Sequence, residues 1–221
     1  IRPNRVALFG YAHVPWMKKH QTMIDERALP DAAARFAQAQ AAALMLLEAG
    51  YVAIGIDHFA LPEDSLSMAL QAGKMRRNFQ GYTVDEADAL IGLGASAIGR
   101  LPQGHVQNMP ATGEYQRRVK AGDLATVRGH AMSDDDRARE AVIEKLMCEF
   151  GFGKGWLCLR HGDAALPLFD IANRMVAEGE YLHKSGDRYE IIEAMRPFAR
   201  QVAARFDAYL ETGAARHSMA V

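Results

Sequence analysis

The sequence predicts an α/β fold: a strand–helix–strand unit at the start, then a mainly α-helical C-terminal portion carrying a small winged-helix-like hairpin. Three observations predict it. Arg5 to Tyr11 (RVALFGY) and Tyr51 to Ile56 (YVAIGI) are short apolar runs of strand length. Between them, Phe36, Ala39, Ala43, Leu46 and Leu47 recur at helical spacing in an Ala-rich stretch. Beyond Thr112 helical patterns dominate, broken near the end by a turn at Ser185-Gly186-Asp187.

The first strand ends at Ala12, His13, Val14 and Pro15, because proline cannot continue a central strand. Pro30 and Asp31 open the helix and Gly50 stops it. Two apolar strands joined by one helix make a parallel unit with a right-handed crossover, in a sheet covered on both faces. Both strands then end at one edge, so Ala12 and His13 should face the same cleft as Asp57 and His58, at the carboxyl edge where parallel α/β folds bind ligands.

Glu63 to Gly73 reads as a short helix, Arg76 to Thr83 (RRNFQGYT) as a polar-aromatic loop, and Ile91 to Gly99 (IGLGASAIG) as a glycine-rich stretch. Ser133 with Asp136 resembles a capping box, followed by the apolar stripe Ile143, Leu146, Met147 and Phe150. A helix through Met175 and Val176, the hairpin, and a helix from about Pro197 to Leu210 complete the winged-helix-like outline. A domain change falls near Pro62 to Gly73 or near residue 100; residues 1–100 and 101–221 are taken as the two portions.

Lys plus Arg number 26 against 27 Asp plus Glu, so there is no excess of positive charge for nucleic acid or anionic lipid. The longest apolar stretches, such as Ala41 to Leu47, fall far short of the roughly 20 residues that span a bilayer. No basic-then-apolar leader opens the chain, and a cytoplasmic, monomeric protein away from membranes is expected. Cys148 and Cys158 have no CxxC partner and read as ordinary packed thiols. An iron–sulfur cubane needs three or four thiolates, so no metal site is expected in this chain.

His13 and His58 each follow a strand closely. They either satisfy loop backbone at the sheet edge or bind an anionic substrate or cofactor; as metal ligands they lack a third partner. Arg76 and Arg77 are a solvated surface pair unless a carboxylate-bearing substrate docks above that edge, which the planar guanidinium suits. Gly92, Gly94 and Gly99 permit close backbone approach, either to a flat ligand or to a packed neighbour; no GxGxxG follows a strand. Arg196, Arg200 and Arg205 sit on the last helix among acidic residues, as on a mixed solvated face.

Four stretches occurring in order are more specific than any alone: Phe9 to Pro15 (FGYAHVP), Gly55 to Ala60 (GIDHFA), Asn78 to Thr83 (NFQGYT) and Gly92 to Ile98 (GLGASAI). This set resembles the oxygen-independent coproporphyrinogen III oxidases, and the likeness continues through Arg128-Gly129, Leu146-Met147-Cys148 and Phe206 to Leu210 (FDAYL).

The resemblance implies the last β-α-β unit of a partial radical S-adenosylmethionine (SAM) (β/α) barrel, followed by the helical domain. It implies a [4Fe-4S] cluster and SAM as cofactors, coproporphyrinogen III as substrate, and an electron donor and acceptor whose identities stay open. It carries SAM contacts onto Ala12, Phe79, Gln80 and Ile98; with a propionate-bearing substrate, the anion-binding readings of His13, His58 and Arg77 make those three the candidates for gripping it. No CxxxCxxC lies in the sequence, so the resemblance also implies a C-terminal fragment, cut within the barrel and unable to make the radical alone. A related radical SAM-like haem chaperone is the nearest alternative, but that group carries Tyr-Trp where this chain has Asn78-Phe79-Gln80. A winged-helix interaction module is the other.

Overall fold

The two apolar runs form strands that point the same way without being neighbours. In a computed structural model that describes residues 1–210, β1 (Arg5–Ala7) and β2 (Val52–Ile54) each pair antiparallel with β3 (His58–Ala60), in the order β1-β3-β2. Residues 211–221, the end of the portion expected to be helical, lie outside the described residues.

The parallel pair expected from sequence is therefore corrected. Gly55, at φ 59°, turns the chain straight after Ile54, and His58 starts a return strand instead of following a strand end. The sheet is covered on both faces at its central strand, as expected: Phe59 packs with Ala43 and Leu46, while Ala60, the next residue and so on the opposite face, packs with Leu66 and Tyr82; Arg5, Ala7 and Ala53 on the outer strands are exposed.

Helix α1 (Ala32–Glu48) begins where Asp31 accepts the Ala34 amide at 2.8 Å, and Gly50 leaves it in the left-handed region. None of its side chains is fully buried; Leu44, Met45 and Leu47 are exposed. Helix α2 (Ser65–Gln71) is capped by Asp64, which also takes Arg5 Nε at 2.9 Å.

Arg76 to Thr83 is a hairpin, not a loop. β4 (Arg76–Asn78) pairs with β5 (Gly81–Thr83). A three-stranded antiparallel sheet follows, β6 (Ile98–Leu101), β7 (Gly104–Asn108) and β8 (Thr126–Ala131), with α3 (Thr112–Lys120) between β7 and β8. This sheet begins before residue 100 and ends after it. β8 escaped the sequence reading because all six of its residues are exposed, leaving no apolar alternation to betray a strand.

The Ser133–Asp136 capping box opens α4 (Asp134–Glu149) as its spacing suggests. β9 (Gly151–Gly153), α5 (Lys154–His161), α6 (Leu166–Glu178), β10 (Leu182–Ser185) and β11 (Arg188–Ile191) then build a helix-and-sheet unit in which β11 lies between β10 and β9, with Gly186-Asp187 as the hairpin tip. The last expected helix is shorter than its pattern: Glu193–Phe198, containing Pro197, is a 3-10 turn, and α7 covers only Ala199–Ala204.

The main core gathers Val142, Leu146, Phe152, Leu168, Met175 and Phe206, with Ile56 packed against it. A second cluster joins Ile54, Ala60, Leu66, Met75 and Tyr82 to Cys148 of α4. These two clusters tie the first sheet to the helical unit. No helix among the described residues is long and apolar enough to cross a membrane.

Candidate functional site

The end of β1, the end of β2 and the start of β3 share one edge: Ala7 and Ile54 both stand opposite His58. Just past that edge the Leu8 amide donates to the Asp57 carbonyl at 2.8 Å, and the Phe9 ring meets His58 edge-on at 5.7 Å. His58 Nδ1 lies 2.6 Å from Asp57 Oδ1, an acceptor that places the proton on Nδ1. The other oxygen of Asp57 accepts from Arg200 of α7.

Tyr82 stands on the far side of His58, ring to ring at 5.1 Å. Its hydroxyl donates to the Met147 carbonyl at 3.0 Å and accepts the Ile56 amide at 3.2 Å, bolting the β2–β3 turn to α4. Burial pushes its phenol up to about 12, in spite of the amide it accepts. A side chain at Gly55 would collide with this hydroxyl, which is a second reason for glycine there.

Phe79 and Gln80 form the two-residue tip of the β4–β5 hairpin, where Asn78 Oδ1 accepts the Gln80 amide at 2.8 Å. Both are exposed, Phe79 to 55%. The Phe79 ring stands edge-on to His105 of β7 at 5.1 Å, so the hairpin tip rests against the β6–β7–β8 sheet. Ile98, half-buried, opens β6 in that sheet opposite Gln107.

The glycine run packs backbone against backbone. A Cβ at Gly92 would sit 2.9 Å from the Ile98 carbonyl, and one at Gly99 would sit 2.9 Å from the Leu90 oxygen. Asn108 Nδ2 donates to the carbonyls of Gly92 and Gly94, at 2.9 and 3.1 Å. The packed neighbours are strand and loop backbone at Ile98 and Leu90, and the Gly94 amide also donates to the Tyr115 hydroxyl of α3 at 3.0 Å.

Ala12 and His13 lie in the loop after β1, organised by the buried Gln21. Its Oε1 accepts the Val14 amide at 2.6 Å and its Nε2 donates to the Ala12 carbonyl at 3.1 Å. His13 meets Glu26 at 3.0 Å through Nε2 and the Tyr11 hydroxyl at 3.3 Å through Nδ1. It is Phe9, not His13, that meets His58.

Arg76 and Arg77 are not a solvated pair. They line a cavity of about 320 Å³ between the hairpin, the Asp85–Leu90 segment, β6 and α4, with Phe79, Arg100, Glu140 and Glu144 also on its wall. Arg76 Nε meets Glu144 Oε1 at 3.1 Å, and the same oxygen accepts the Arg77 amide at 3.1 Å. Sequence reasoning missed His105 and Glu144 and read Arg200 only as part of a solvated helix face, each being far along the chain from the residue it serves; Tyr82 lay inside NFQGYT without drawing notice.

Arg196, Arg200 and Arg205 are each paired within the chain, with Glu193, Asp57 and Glu178. Cys148 is buried and Cys158 half-buried, and no group of three or more His, Cys, Asp or Glu among the described residues is placed to hold a metal ion.

No family model matches the sequence. An oxygen-independent coproporphyrinogen III oxidase from Bradyrhizobium diazoefficiens is 48% identical over 224 residues, spanning all of this chain and 50% of that protein. One from Thermostichus vulcanus is 35% identical over 220 residues, spanning 98% of this chain and 68% of that protein. The chain belongs to the oxygen-independent coproporphyrinogen III oxidase family. A solved structure described as coproporphyrinogen III oxidase (HemN) from Escherichia coli, a radical SAM enzyme, superposes with a TM-score of 0.85 at 30% identity, covering 95% of this chain and 49% of that one. The chain thus spans about half the length of several of the curated oxidases it matches.

Proposed function

We propose that this chain serves in an enzyme that converts coproporphyrinogen III to protoporphyrinogen IX without oxygen, through a 5′-deoxyadenosyl radical, in haem biosynthesis. The carrying observation is the 48% identity to the Bradyrhizobium oxidase along the whole chain. In this reading residues 1–100 are the last part of a radical SAM (β/α) barrel with its SAM-facing loops, and residues 101–221 are the C-terminal domain. The enzyme works in the cytoplasm as a monomer, with an electron donor and an electron acceptor.

SAM fits the residues present. Phe79 offers an open aromatic face and Gln80 an exposed amide at the tip of one hairpin, chemistry suited to an adenine ring and its polar edge. Ile98 adds an apolar contact and Ala12 a contact from the loop after β1. Bound SAM supplies the hydrogen-abstracting radical. The chain's own side chains position it: Asn78 fixes the hairpin tip, and His105 backs Phe79. His13, His58 and Arg77 face the tetrapyrrole in this assignment. At each reacting propionate the β-carbon loses a hydrogen atom, then carbon dioxide and one electron leave, and a vinyl group remains.

A [4Fe-4S] cluster, which needs three or four thiolates, does not fit the described residues, whose two cysteines are the buried Cys148 and the half-buried Cys158. Its ligands are assigned to the part of the complete enzyme that this chain does not span.

The test is an anaerobic assay of the complete enzyme for iron, 5′-deoxyadenosine and vinyl product. All three are expected, and Gln80→Ala should weaken SAM use while leaving the iron content unchanged. The 221-residue chain alone should neither bind stoichiometric iron nor cleave SAM. Tight haem binding with no vinyl product would transfer the assignment to a haem chaperone.

A further inference from the structure

The cavity beneath the β4–β5 hairpin is lined by three guanidiniums and three carboxylates, yet one guanidinium is left over. Arg76 holds Glu144 at 3.1 Å. Glu140 lies 3.9 Å from Arg100 and 3.5 Å from His105 Nε2. Asp85 accepts the Ala87 amide at 2.8 Å to close a turn. Arg77 meets no carboxylate among the described residues: its guanidinium carbon lies 5.5 Å from the centre of the Tyr82 ring, and its Nε is buried without a hydrogen-bond partner. His105 Nδ1, behind Phe79 and Glu140, is buried and unpartnered in the same way.

A buried donor without an acceptor is costly, the more so on a charged group, and a cation that the protein leaves unmatched beside a cavity is suited to an anion that arrives from outside. The rest of the wall narrows that anion. Phe79, Leu90, Ile143 and Met147 are apolar, which disfavours a phosphate or sulfate and suits a hydrocarbon arm. The guanidinium fork matches a carboxylate.

We propose that this cavity is a carboxylate subsite, in which Arg77 takes the end of a short alkyl carboxylate whose methylenes lie along the apolar wall. The inference rests on the function proposed above, and two molecules in that reaction carry such an arm: the tetrapyrrole with its propionates and SAM with its amino-acid end. Glu144 accepts the Arg77 amide and pairs with Arg76, so it positions the strand without neutralising the Arg77 side chain.

The test uses the complete, iron-loaded enzyme under anaerobic conditions, with Arg77→Met, which keeps the stem and removes the charge, and Arg77→Lys, which keeps the charge and removes the fork. Arg77→Met should raise one KM by about tenfold to a hundredfold, with Arg77→Lys in between, while iron content and melting temperature stay at the parent value. A raised KM for coproporphyrinogen III with an unchanged KM for SAM identifies a propionate as the occupant; the reverse identifies the SAM carboxylate. Should Arg77→Met fold poorly, Arg77→Lys alone, expected to raise the same KM severalfold, decides the matter. Parent values of both KM in a folded variant would overturn the subsite and leave the oxidase reading standing. A parent enzyme that forms no vinyl product would overturn both.

Discussion

Arg200 of α7 ion-pairs with Asp57 in the turn between β2 and β3, and Asp57 in turn holds His58 Nδ1 at 2.6 Å. The two partners are 143 positions apart in sequence, so the last helix of the described chain fixes the tautomer of a histidine at the sheet edge. Side-chain exposure is 39% for Arg200 and 11% for Asp57, which makes the carboxylate the group with more to lose. Arg200→Met should cost about 1–2 kcal/mol, lowering the melting temperature by about 2–8 °C. An unaltered melting curve would show that the pair contributes nothing.

Tyr82 joins the β2–β3 turn to α4 through one hydroxyl that both donates and accepts. Tyr82→Phe keeps the ring against His58 but leaves the Ile56 amide and the Met147 carbonyl unmatched, at a cost of about 1–3 kcal/mol. Gly55→Ala, which places a methyl group where the hydroxyl sits and forces a non-glycine residue to φ 59°, should destabilise at least as much. Removing the hydroxyl does not relieve the clash, because the ring carbon Cζ would still lie 2.2 Å from the added methyl, so Gly55→Ala should remain destabilising in a Tyr82→Phe background, as read by denaturant melts. A Gly55→Ala substitution that costs nothing in that background would contradict the ring contact.

Burial opposes ionisation of Asp136, but the Ser133 hydroxyl and amide, the Tyr209 hydroxyl and His130 outweigh it and hold the carboxyl far below the usual range. A depressed folded value means that this stabilisation is fully present above the ordinary carboxylate value of 3.8 and drains away as the pH falls below it towards the folded value. Stability measured from about pH 6 to pH 3 should therefore fall less steeply in Asp136→Asn than in the parent, from a lower starting point. Parallel curves would count against the assignment.

Cys148 is 1% exposed, and burial, helped by the charge of Glu144, pushes its thiol up to about 12. Cys158 is half-buried on α5. Since the thiolate is the reacting species, iodoacetamide at neutral pH should label Cys158 first and reach Cys148 only on unfolding, as read by peptide mass spectrometry. Equal labelling of the two in native protein would mean that the second core cluster opens readily.

Local signals carried much of the secondary structure. Asp31 and Gly50 bound α1, Ser133 and Asp136 open α4, and Gly186 turns the β10–β11 hairpin, because caps and tight turns depend on residues three or four apart. The ordered motifs from Phe9 to Ile98 carried the family. What local pattern could not reach was strand partnership and the cavity. Nothing in GIDHFA says that His58 starts a strand lying between β1 and β2, and nothing in the polar residues of β8 marks them as a strand. Phe79, Gln80 and Ile98 were legible as motif residues, while their neighbours His105, Glu140 and Glu144 come from β7 and α4 and were silent. Local sequence sufficed for the caps of α1 and α4, the Gly186 turn and the family. The three-dimensional fold was needed to show that, of the guanidiniums lining the cavity, Arg77 has no carboxylate among the described residues while Arg200 elsewhere has Asp57, because pairing depends on distance in space, which spacing along the chain does not encode.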